Sequence, residues 1–416
     1  VNAVILPGPR RGAAAAPASK SMTHRALICA ALSKQESVIH CGCLSQDLAA
    51  TARCLNALGA HIRYEDGRLL VDPILRINPK ADLLCGESGS TLRFLLPLAG
   101  ALGTEAYFHM EGRLSHRPMD AFEDALAARG MRFQQKGNSL HCYGRLKSGS
   151  FTLPGNVSSQ YFSGLMMALP LLSGDSRIGI EGRLESGGYV NMTIAVLKDA
   201  GVAIEKNGRA FWVRGNQQYS APASRIIEGD YSAASVFLAA GALSDEGITV
   251  RNLFPQTSQG DACIVEMLRA LGADVEQGKD AVKVKAGRLQ GRTMDASGNP
   301  DLMPVICILG ALAQGETRIT HAQRLRYKES DRIAGMVQLI RDLGGQARET
   351  EDGLVIRGQE KLTGGRVRTQ RDHRLAMAAT VAAAKCIEPI VIEDAECVEK
   401  SYPQFWRDFE GLEIEV

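Results

Sequence analysis

The sequence predicts an α/β fold of two similar domains, each assembled from three βαβαββ repeats. Three observations predict it. Six polar clusters led by Ser or Asp each open an apolar, helix-like run. With Ser21, Ser90, Ser159, Ser232, Asp301 and Asp372 as markers, the steps between them are 69, 69, 73, 69 and 71 residues. A second series runs out of phase: Gly59, Gly130, Gly201, Gly272 and Gly344 stand 71, 71, 71 and 72 residues apart. Each of these glycines closes an amphipathic run and precedes a strand-like segment, as a helix C-terminal glycine does. Finally, six units of this size exceed one hydrophobic core, so three per domain is the natural division.

In the first repeat, 21–32 reads as helix and 37–41 as strand. The stretch 47–58 is helix again, closed by Gly59, and 61–64 with 68–71 form a hairpin about Asp66-Gly67, a strong turn dipeptide. The fourth repeat echoes it with helix 232–242, strand 249–253, helix 262–271 and the hairpin 274–277 with 281–284. A weaker sixth copy ends near Gly411. The midpoint between the third and fourth copies falls within 221–229, and Ser220-Ala221-Pro222-Ala223-Ser224 has the composition of a connection. The Gly-, Pro- and Ala-rich segment 7–17 reads as a second crossing.

With 416 residues and 45% apolar content, the chain is an ordinary globular protein of more than one domain. Its longest apolar stretches, 94–102 and 302–313, are too short to span a bilayer, and no secretory signal is evident. Ten cysteines include no CxxC pair, and Cys41 and Cys43 lack a partnering Cys/His cluster. That argues against zinc and for a reducing, cytoplasmic setting. A net charge of +2 argues against general nucleic-acid binding.

A helix start leaves amide N–H groups unpaired at the positive end of the macrodipole, so six starts in series are six potential anion sites. Ordinary N-capping is the bland alternative for each. Several starts carry more than a cap. Ser19-Lys20-Ser21, with Arg25 one turn inside, puts cations beside free amides. Cys85-Gly86-Glu87-Ser88-Gly89-Ser90-Thr91-Leu92-Arg93 is a small-residue loop in which Gly89 lets a ligand approach the backbone. Arg113, His116 and Arg117 precede a helix expected to start at Pro118, and Arg117 can grip an anion bidentately. Val157-Ser158-Ser159-Gln160-Tyr161 offers hydroxyls and an amide. Arg326-Tyr327-Lys328-Glu329-Ser330-Asp331-Arg332 is the densest charge cluster, and on a helix Lys328 and Arg332 share one face. Asp372-His373-Arg374 and Lys400 complete the set. Taken singly, most of these read as caps or solvated charged faces.

Taken in order, the strings Ser-Lys-Ser-x-x-x-Arg, Gly-x-Ser-Gly-Ser/Thr, Arg-Pro, Ser-Ser-Gln, Glu-Gly-Asp, Lys-Glu-Ser-Asp-Arg, Asp-His-Arg and Lys-Ser-Tyr-Pro resemble the 5-enolpyruvylshikimate-3-phosphate synthase family over residues 17–405. The resemblance implies helix N-termini facing an interdomain cleft. It implies one domain of residues 19–228 and a discontinuous one of 1–18 plus 229–416. It implies transfer of the enolpyruvyl group of phosphoenolpyruvate to the 5-hydroxyl of shikimate 3-phosphate, by addition and elimination. Asp301 would be the base and Glu329 the acid, with Lys20 and His373 assisting. Ser21, Arg25, Ser158, Ser159, Gln160, Ser186, Tyr189, Asp301 and Lys328 would meet shikimate 3-phosphate. Lys20, Gly89, Arg117, Gln160, Arg332, Arg374 and Lys400 would meet phosphoenolpyruvate.

The resemblance further implies no metal or organic cofactor, no nucleic-acid or membrane partner, a monomer, and inhibition by glyphosate in competition with phosphoenolpyruvate. Cations assigned from both halves imply that a bridging anion draws the domains together. Ala18, Glu87, Gly187-Gly188 and Arg324 depart from the family pattern. Two alternatives stand beside this reading. UDP-N-acetylglucosamine enolpyruvyl transferase is one, although that family uses Lys-Asn near its start and a loop cysteine absent from 113–118. A non-enzymatic repeat scaffold for anions or RNA is the other.

Overall fold

The computed structural model describes residues 1–415; Val416 lies outside the described residues. The chain is mixed α/β and forms two compact units, one of Lys20–Ile227 and one of Val1–Ser19 with the chain from Glu228 onward.

The repeat is plainest in the middle of the Lys20–Ile227 unit. There the order is strand Lys80–Gly86, helix Gly89–Leu102, strand Glu105–Met110, helix Asp120–Ala127, and a hairpin of Arg132–Lys136 with Ser139–Tyr143. The first strand pairs parallel with the second, the second antiparallel with the fourth, and the hairpin closes on itself. A helical crossover brings the chain back parallel and a tight turn brings it back antiparallel, so this order follows from the connections. The same order recurs in the sheets of Ser150–Pro154, Ser176–Glu181, Ala210–Val213 and Ile204–Asn207, and of Thr293–Asp295, Glu316–Thr320, Leu354–Arg357 and Gln346–Glu349.

The first repeat of each unit takes its opening strand from a distant piece of chain. Ser37–His40 pairs parallel with Ser224–Ile226, and Ile248–Arg251 pairs parallel with Arg10–Ala15. One expectation is thereby corrected: 7–17 contains a strand instead of a bare crossing, and the chain leaves that unit only after Ser19. Residues 220–223 do connect two strands, Ser224 opens the second of them, and the units divide at Ile227, inside the expected 221–229. Small side chains suggested linkers, but a ladder is made by backbone groups that every non-proline residue carries. In the sixth repeat Ala3–Ile5 pairs antiparallel with Ile390–Ile392, where the other sheets have their hairpin.

The helices are of two kinds. Those opened by the markers are Lys20–Ala31, Gly89–Leu102, Ser159–Ala168, Tyr231–Gly241, Met303–Leu312 and His373–Ala382. They are buried nearly all round, and every residue of Tyr231–Gly241 and of His373–Ala382 is buried. Such a helix has to lie inside the unit. Tyr231–Gly241, Met303–Leu312 and His373–Ala382 accordingly pack pairwise against one another. Their polar starts are where charged groups collect. The other kind is amphipathic, as in Ile264–Leu271, which buries Ile264, Val265, Leu268 and Leu271. The glycines that end this second kind all have positive φ, from 77° at Gly201 to 121° at Gly59, the left-handed geometry that a helix C-terminus favours. Gly411 closes Phe405–Glu410 with a φ of −67°, so the sixth copy ends differently.

Most expected boundaries fall within a residue or two of the observed ones. The run 262–271 differs, opening as a 3-10 turn at Gly260–Cys263 before helix Ile264–Leu271. Among the described residues, no helix is long and apolar enough to cross a membrane.

Candidate active site

In the Lys20–Ile227 unit the residues gather at four helix starts. Arg25, one turn inside Lys20–Ala31, is 3% exposed. Its Nε donates to Thr193 Oγ1 at 2.7 Å and its Nη1 to the Ser21 carbonyl at 2.7 Å. Nη2 donates to Ser163 Oγ at 3.4 Å and to the Tyr189 carbonyl at 3.3 Å. The guanidinium carbon also lies 4.9 Å from the centre of the Phe94 ring. No carboxylate is among these partners. Burial pushes the Arg25 pKa down to about 10, with only slight opposition from Tyr189 and Cys29. The cation is thus buried among neutral dipoles without a carboxylate to balance it, an arrangement that burial by itself disfavours.

Lys20 Nζ donates to Asp47 Oδ2 at 2.6 Å, and Asp47 stands in the first turn of Gln46–Leu58. Ser88 caps Gly89–Leu102 by accepting from Thr91 N, and Ser158 caps Ser159–Ala168 by accepting from Gln160 N. These two helices approach closely because residue 164 is glycine; a Cβ there would run into the Arg93 carbonyl. The closeness lets Arg93 Nη1 donate to Gln160 Oε1 at 2.8 Å, while Gln160 Nε2 donates to Ser90 Oγ at 2.9 Å. A Cβ on Gly89 would lie 2.9 Å from Arg117 Nη1, so the Arg117 guanidinium rests against the Gly89 backbone. Arg117 also lines a cavity of about 160 Å³ with Pro118, Asp120 and Glu123. Ser186, at φ 52°, precedes helix Gly187–Asp199, which carries Tyr189.

In the other unit the candidates form one ion network around Arg332, which is 2% exposed. Its Nε donates to Asp372 Oδ2 at 2.8 Å, its Nη1 to Asp301 Oδ1 at 2.8 Å, and its Nη2 to Glu329 Oε2 at 2.9 Å. Burial lowers the Arg332 pKa, but Asp372, Glu329 and Asp301 outweigh it and hold it above the ordinary arginine value. Asp372 is wholly buried and also accepts from Ser330 Oγ and from the Arg374 amide, which it caps. Asp301 follows Pro300 in a 3-10 turn that leads into Met303–Leu312. Lys328 Nζ donates to it at 3.3 Å, and Arg374 Nη2 lies 3.9 Å away. Burial would raise the Asp301 carboxyl, yet Lys328, Arg332 and Arg374 prevail and hold it well below the usual carboxylate range. His373 sits beside Asp372, with Nδ1 3.9 Å from Oδ1. Lys400 is buried in the turn Ala395–Lys400, which packs against His373–Ala382.

Two local expectations fail. Lys328 and Arg332 do not share a helix face: Gln323–Tyr327 is a 3-10 turn, Lys328 is extended, and helix Arg332–Asp342 begins only after Asp331, whose side chain caps it. The Asp at N-cap wins because it satisfies the amides of Ile333 and Ala334. Pro118 is likewise not the first helical residue; the helix runs Asp120–Ala127, and the Pro118 carbonyl instead accepts from Arg93 Nη2 and from the Tyr161 hydroxyl. Sequence reasoning assigned no task to Asp47, Arg93, Ser90 or Asp372. Arg93, Ser90 and Asp372 stood inside quoted motifs; Asp47 carried only the weak signal of an acid in a first helical turn. Of the departures from the family pattern, Arg324 donates to the Ser297 carbonyl at 2.9 Å and Ala18 forms a bridge with Gly229.

Fold and geometry together define a repeat-built α/β protein with hydroxyl and cationic side chains gathered at helix starts in one unit. The other unit carries a carboxylate–guanidinium network, and this is the equipment of an acid–base enzyme for anionic substrates. Comparison with known proteins identifies the family. The family model described as EPSP synthase (3-phosphoshikimate 1-carboxyvinyltransferase) matches residues 7–409. A 3-phosphoshikimate 1-carboxyvinyltransferase of Clostridium perfringens is 40% identical over 98% of this chain and 97% of its own. One of Clostridium acetobutylicum is 42% identical over 95% and 94%. The solved EPSP synthase of Acinetobacter baumannii superposes with a TM-score of 0.82 at 25% identity, covering 100% of this chain and 99% of its own. The chain belongs to the EPSP synthase family.

Proposed function

We propose that this chain transfers the enolpyruvyl group of phosphoenolpyruvate to the 5-hydroxyl of shikimate 3-phosphate and releases inorganic phosphate. The observation that carries the reading, in a chain of this family, is the Asp301 carboxylate poised among Lys328, Arg332 and Arg374, with Glu329 on the same guanidinium.

The reaction needs a proton removed from the attacking hydroxyl and a proton delivered to the methylene of phosphoenolpyruvate. Asp301 takes the first and Glu329 gives the second, forming a tetrahedral ketal. Loss of a methyl proton and of phosphate then restores the enol ether. A carboxylate held below its usual range is a weak base, so Asp301 gains basicity as anionic substrate draws off the charge of Lys328, Arg332 and Arg374.

The residue roles form part of the proposal. Ser21, Arg25, Ser158, Ser159, Ser186, Tyr189 and Lys328 engage shikimate 3-phosphate. Lys20, Gly89, Arg117, Arg332, Arg374 and Lys400 engage phosphoenolpyruvate, Gln160 serves both, and His373 donates to the reacting group. The buried Arg25 cation and the Ser158–Ser159 helix start support the first set, since both favour an anion carrying several oxygens. Action as a monomer without membrane belongs to the same proposal; ten free cysteines support a cytoplasmic setting, and a net charge of +2 supports the absence of nucleic acid.

The test is phosphate release in the presence of both substrates, with shikimate as the control acceptor. Release with shikimate 3-phosphate and not with shikimate is the expected result. No release, or equal release with both, would overturn the proposal.

A further inference from the structure

Five of the six marker residues are accounted for. Ser21 and Ser159 belong to the proposed sugar-phosphate set, Ser90 accepts from Gln160, and Asp301 and Asp372 both bind Arg332. Ser232 is the sixth, and nothing so far employs it.

Ser232 lies in the first turn of Tyr231–Gly241, whose N-cap Asp230 accepts from the Ala233 amide at 2.9 Å. It is 5% exposed, and its Oγ is buried without a hydrogen-bond partner. Its carbonyl accepts from Arg374 Nη1 at 3.0 Å and from Ser235 Oγ at 2.7 Å. Arg374 is itself 9% exposed, and its Nε too is buried with no partner. The guanidinium is thus anchored at Nη1 while its Nε edge is unsatisfied, and Nη2 points toward Asp301 at 3.9 Å. Buried polar groups without partners are rare in native proteins. Two on residues that touch each other, at a helix start and beside the proposed base, mark a place where a ligand completes the hydrogen bonding.

We propose that Ser232 is a further substrate-contacting residue: its hydroxyl and Arg374 Nε together donate to the carboxylate of phosphoenolpyruvate. The inference rests on the proposed function and deepens it by identifying which end of that substrate this corner holds. A carboxylate fits because it is planar and presents two oxygens at the spacing of the Nε/Nη2 edge of a guanidinium. Anchoring of Nη1 by the Ser232 carbonyl keeps that edge turned to the ligand, so residue 232 sets both the hydroxyl donor and the aim of the arginine. The other marker serines show the same economy of position, since Ser21 also offers its carbonyl to an arginine, Arg25 Nη1 at 2.7 Å.

The experiment compares Ser232→Ala and Ser232→Cys with Ser235→Ala, whose hydroxyl is buried on the same turn and donates only to the Ser232 carbonyl. It measures KM for each substrate, the inhibition constant of inorganic phosphate against phosphoenolpyruvate, and the melting temperature. Loss of one hydrogen bond to a charged group predicts a rise in the KM for phosphoenolpyruvate of roughly tenfold or more in Ser232→Ala. Ser232→Cys, with a weaker donor, gives a smaller rise. The KM for shikimate 3-phosphate, the phosphate inhibition constant and the melting temperature stay near the parent values, and Ser235→Ala leaves both KM values unmoved. A KM for phosphoenolpyruvate in Ser232→Ala within about twofold of the parent, well short of what such a bond supplies, overturns the inference while an active parent leaves the proposed function standing. A phosphate inhibition constant that rises in step with that KM overturns the carboxylate assignment. A parent that releases no phosphate from the two substrates overturns both.

Discussion

Arg25 and Arg332 are about equally buried, at 3% and 2% exposure, and both occur within the first two turns of a helix. Their surroundings are opposite. Arg25 meets hydroxyls, carbonyls and a phenyl ring; Arg332 meets three carboxylates. Burial therefore lowers the pKa of Arg25, whereas at Arg332 the carboxylates reverse the effect of burial. One cation is left short of negative charge and the other is supplied with it. The difference teaches how one repeated architecture divides labour. In the first unit the buried cation has only neutral partners, and in the second the counter-charge is built in; under the proposed function a substrate brings the missing charge to the first, and carboxylates of the second serve as acid and base.

The sharpest way to break this comparison is to remove each charge while keeping the apolar stem. Arg332→Met leaves Asp372, Asp301 and Glu329 crowded without their cation. Breaking a buried pair in that way should cost about 3–5 kcal/mol, read as a lower denaturation midpoint. A loss below about 1 kcal/mol, the range of a solvent-exposed pair, would show that the carboxylates do not depend on Arg332. Next in size, Asp301→Asn keeps shape and hydrogen bonding but removes the base, so turnover should fall by roughly two orders of magnitude or more with binding of shikimate 3-phosphate retained. Near-normal turnover would remove Asp301 from the mechanism. Arg25→Met should show the reverse balance to Arg332→Met. Ser163 and Thr193 already bond to each other at 2.7 Å, so stability should change by no more than about 1 kcal/mol. Calorimetric affinity for shikimate 3-phosphate should drop on the order of ten- to a hundredfold. A large stability loss with unchanged affinity would make Arg25 a structural cation like Arg332.

A pH series sharpens the same contrast. Asp301 and Asp372 have folded pKa values below those of a free aspartate, through Lys328, Arg332 and Arg374 in one case and mainly Arg332 in the other, in each case against burial. Their contribution to stability is fully present above the unfolded value of about 3.9 and is lost as pH falls through the depressed folded values. Urea midpoints between neutral and strongly acidic pH should fall steeply in the parent and less steeply in Asp301→Asn; identical slopes would mean that folding does not depress the Asp301 pKa. The smallest effect is expected at Gly89→Ala. Its methyl group would stand 2.9 Å from Arg117 Nη1. The side chain can give way, since Arg117 borders a cavity. A KM for phosphoenolpyruvate raised a few-fold, in the range of one weakened hydrogen bond, with a larger loss of inhibition by the longer anion glyphosate, is the expected outcome. Equal constants in both proteins would dissociate Gly89 from the phosphoenolpyruvate site.

Much of the fold was legible because its signals are local. The marker runs are mostly rich in apolar residues, which is visible as composition, and the five glycines announce left-handed C-termini by being glycine. The hairpin at Asp66-Gly67 was legible for the same reason, with φ values of 48° and 77° at the two turn residues. Strands Arg10–Ala15 and Ser224–Ile226 were missed because their partners lie far away in the chain, and three or six residues of small or mixed type do not declare a ladder. The candidate site divides in the same way. Arg25, Asp301, Lys328, Glu329 and Arg332 stood out as motif residues, yet the helical spacing assigned to Lys328 and Arg332 was wrong, because Asp331 caps the helix between them.

The sequence by itself determined the six-fold repeat, the two kinds of helix and the inventory of charged and hydroxylated residues at the helix starts, because each of these depends on neighbours within a turn or two. Only the tertiary structure decided what each charge faces. Arg332 meets Asp301 and Asp372 across 31 and 40 residues of chain, and Arg25 meets Thr193 across 168. A guanidinium has the same five donors whether carboxylates, hydroxyls or water stand before it. Its electrostatic role is therefore set by which helix starts packing brings together, and that is a property of the folded core.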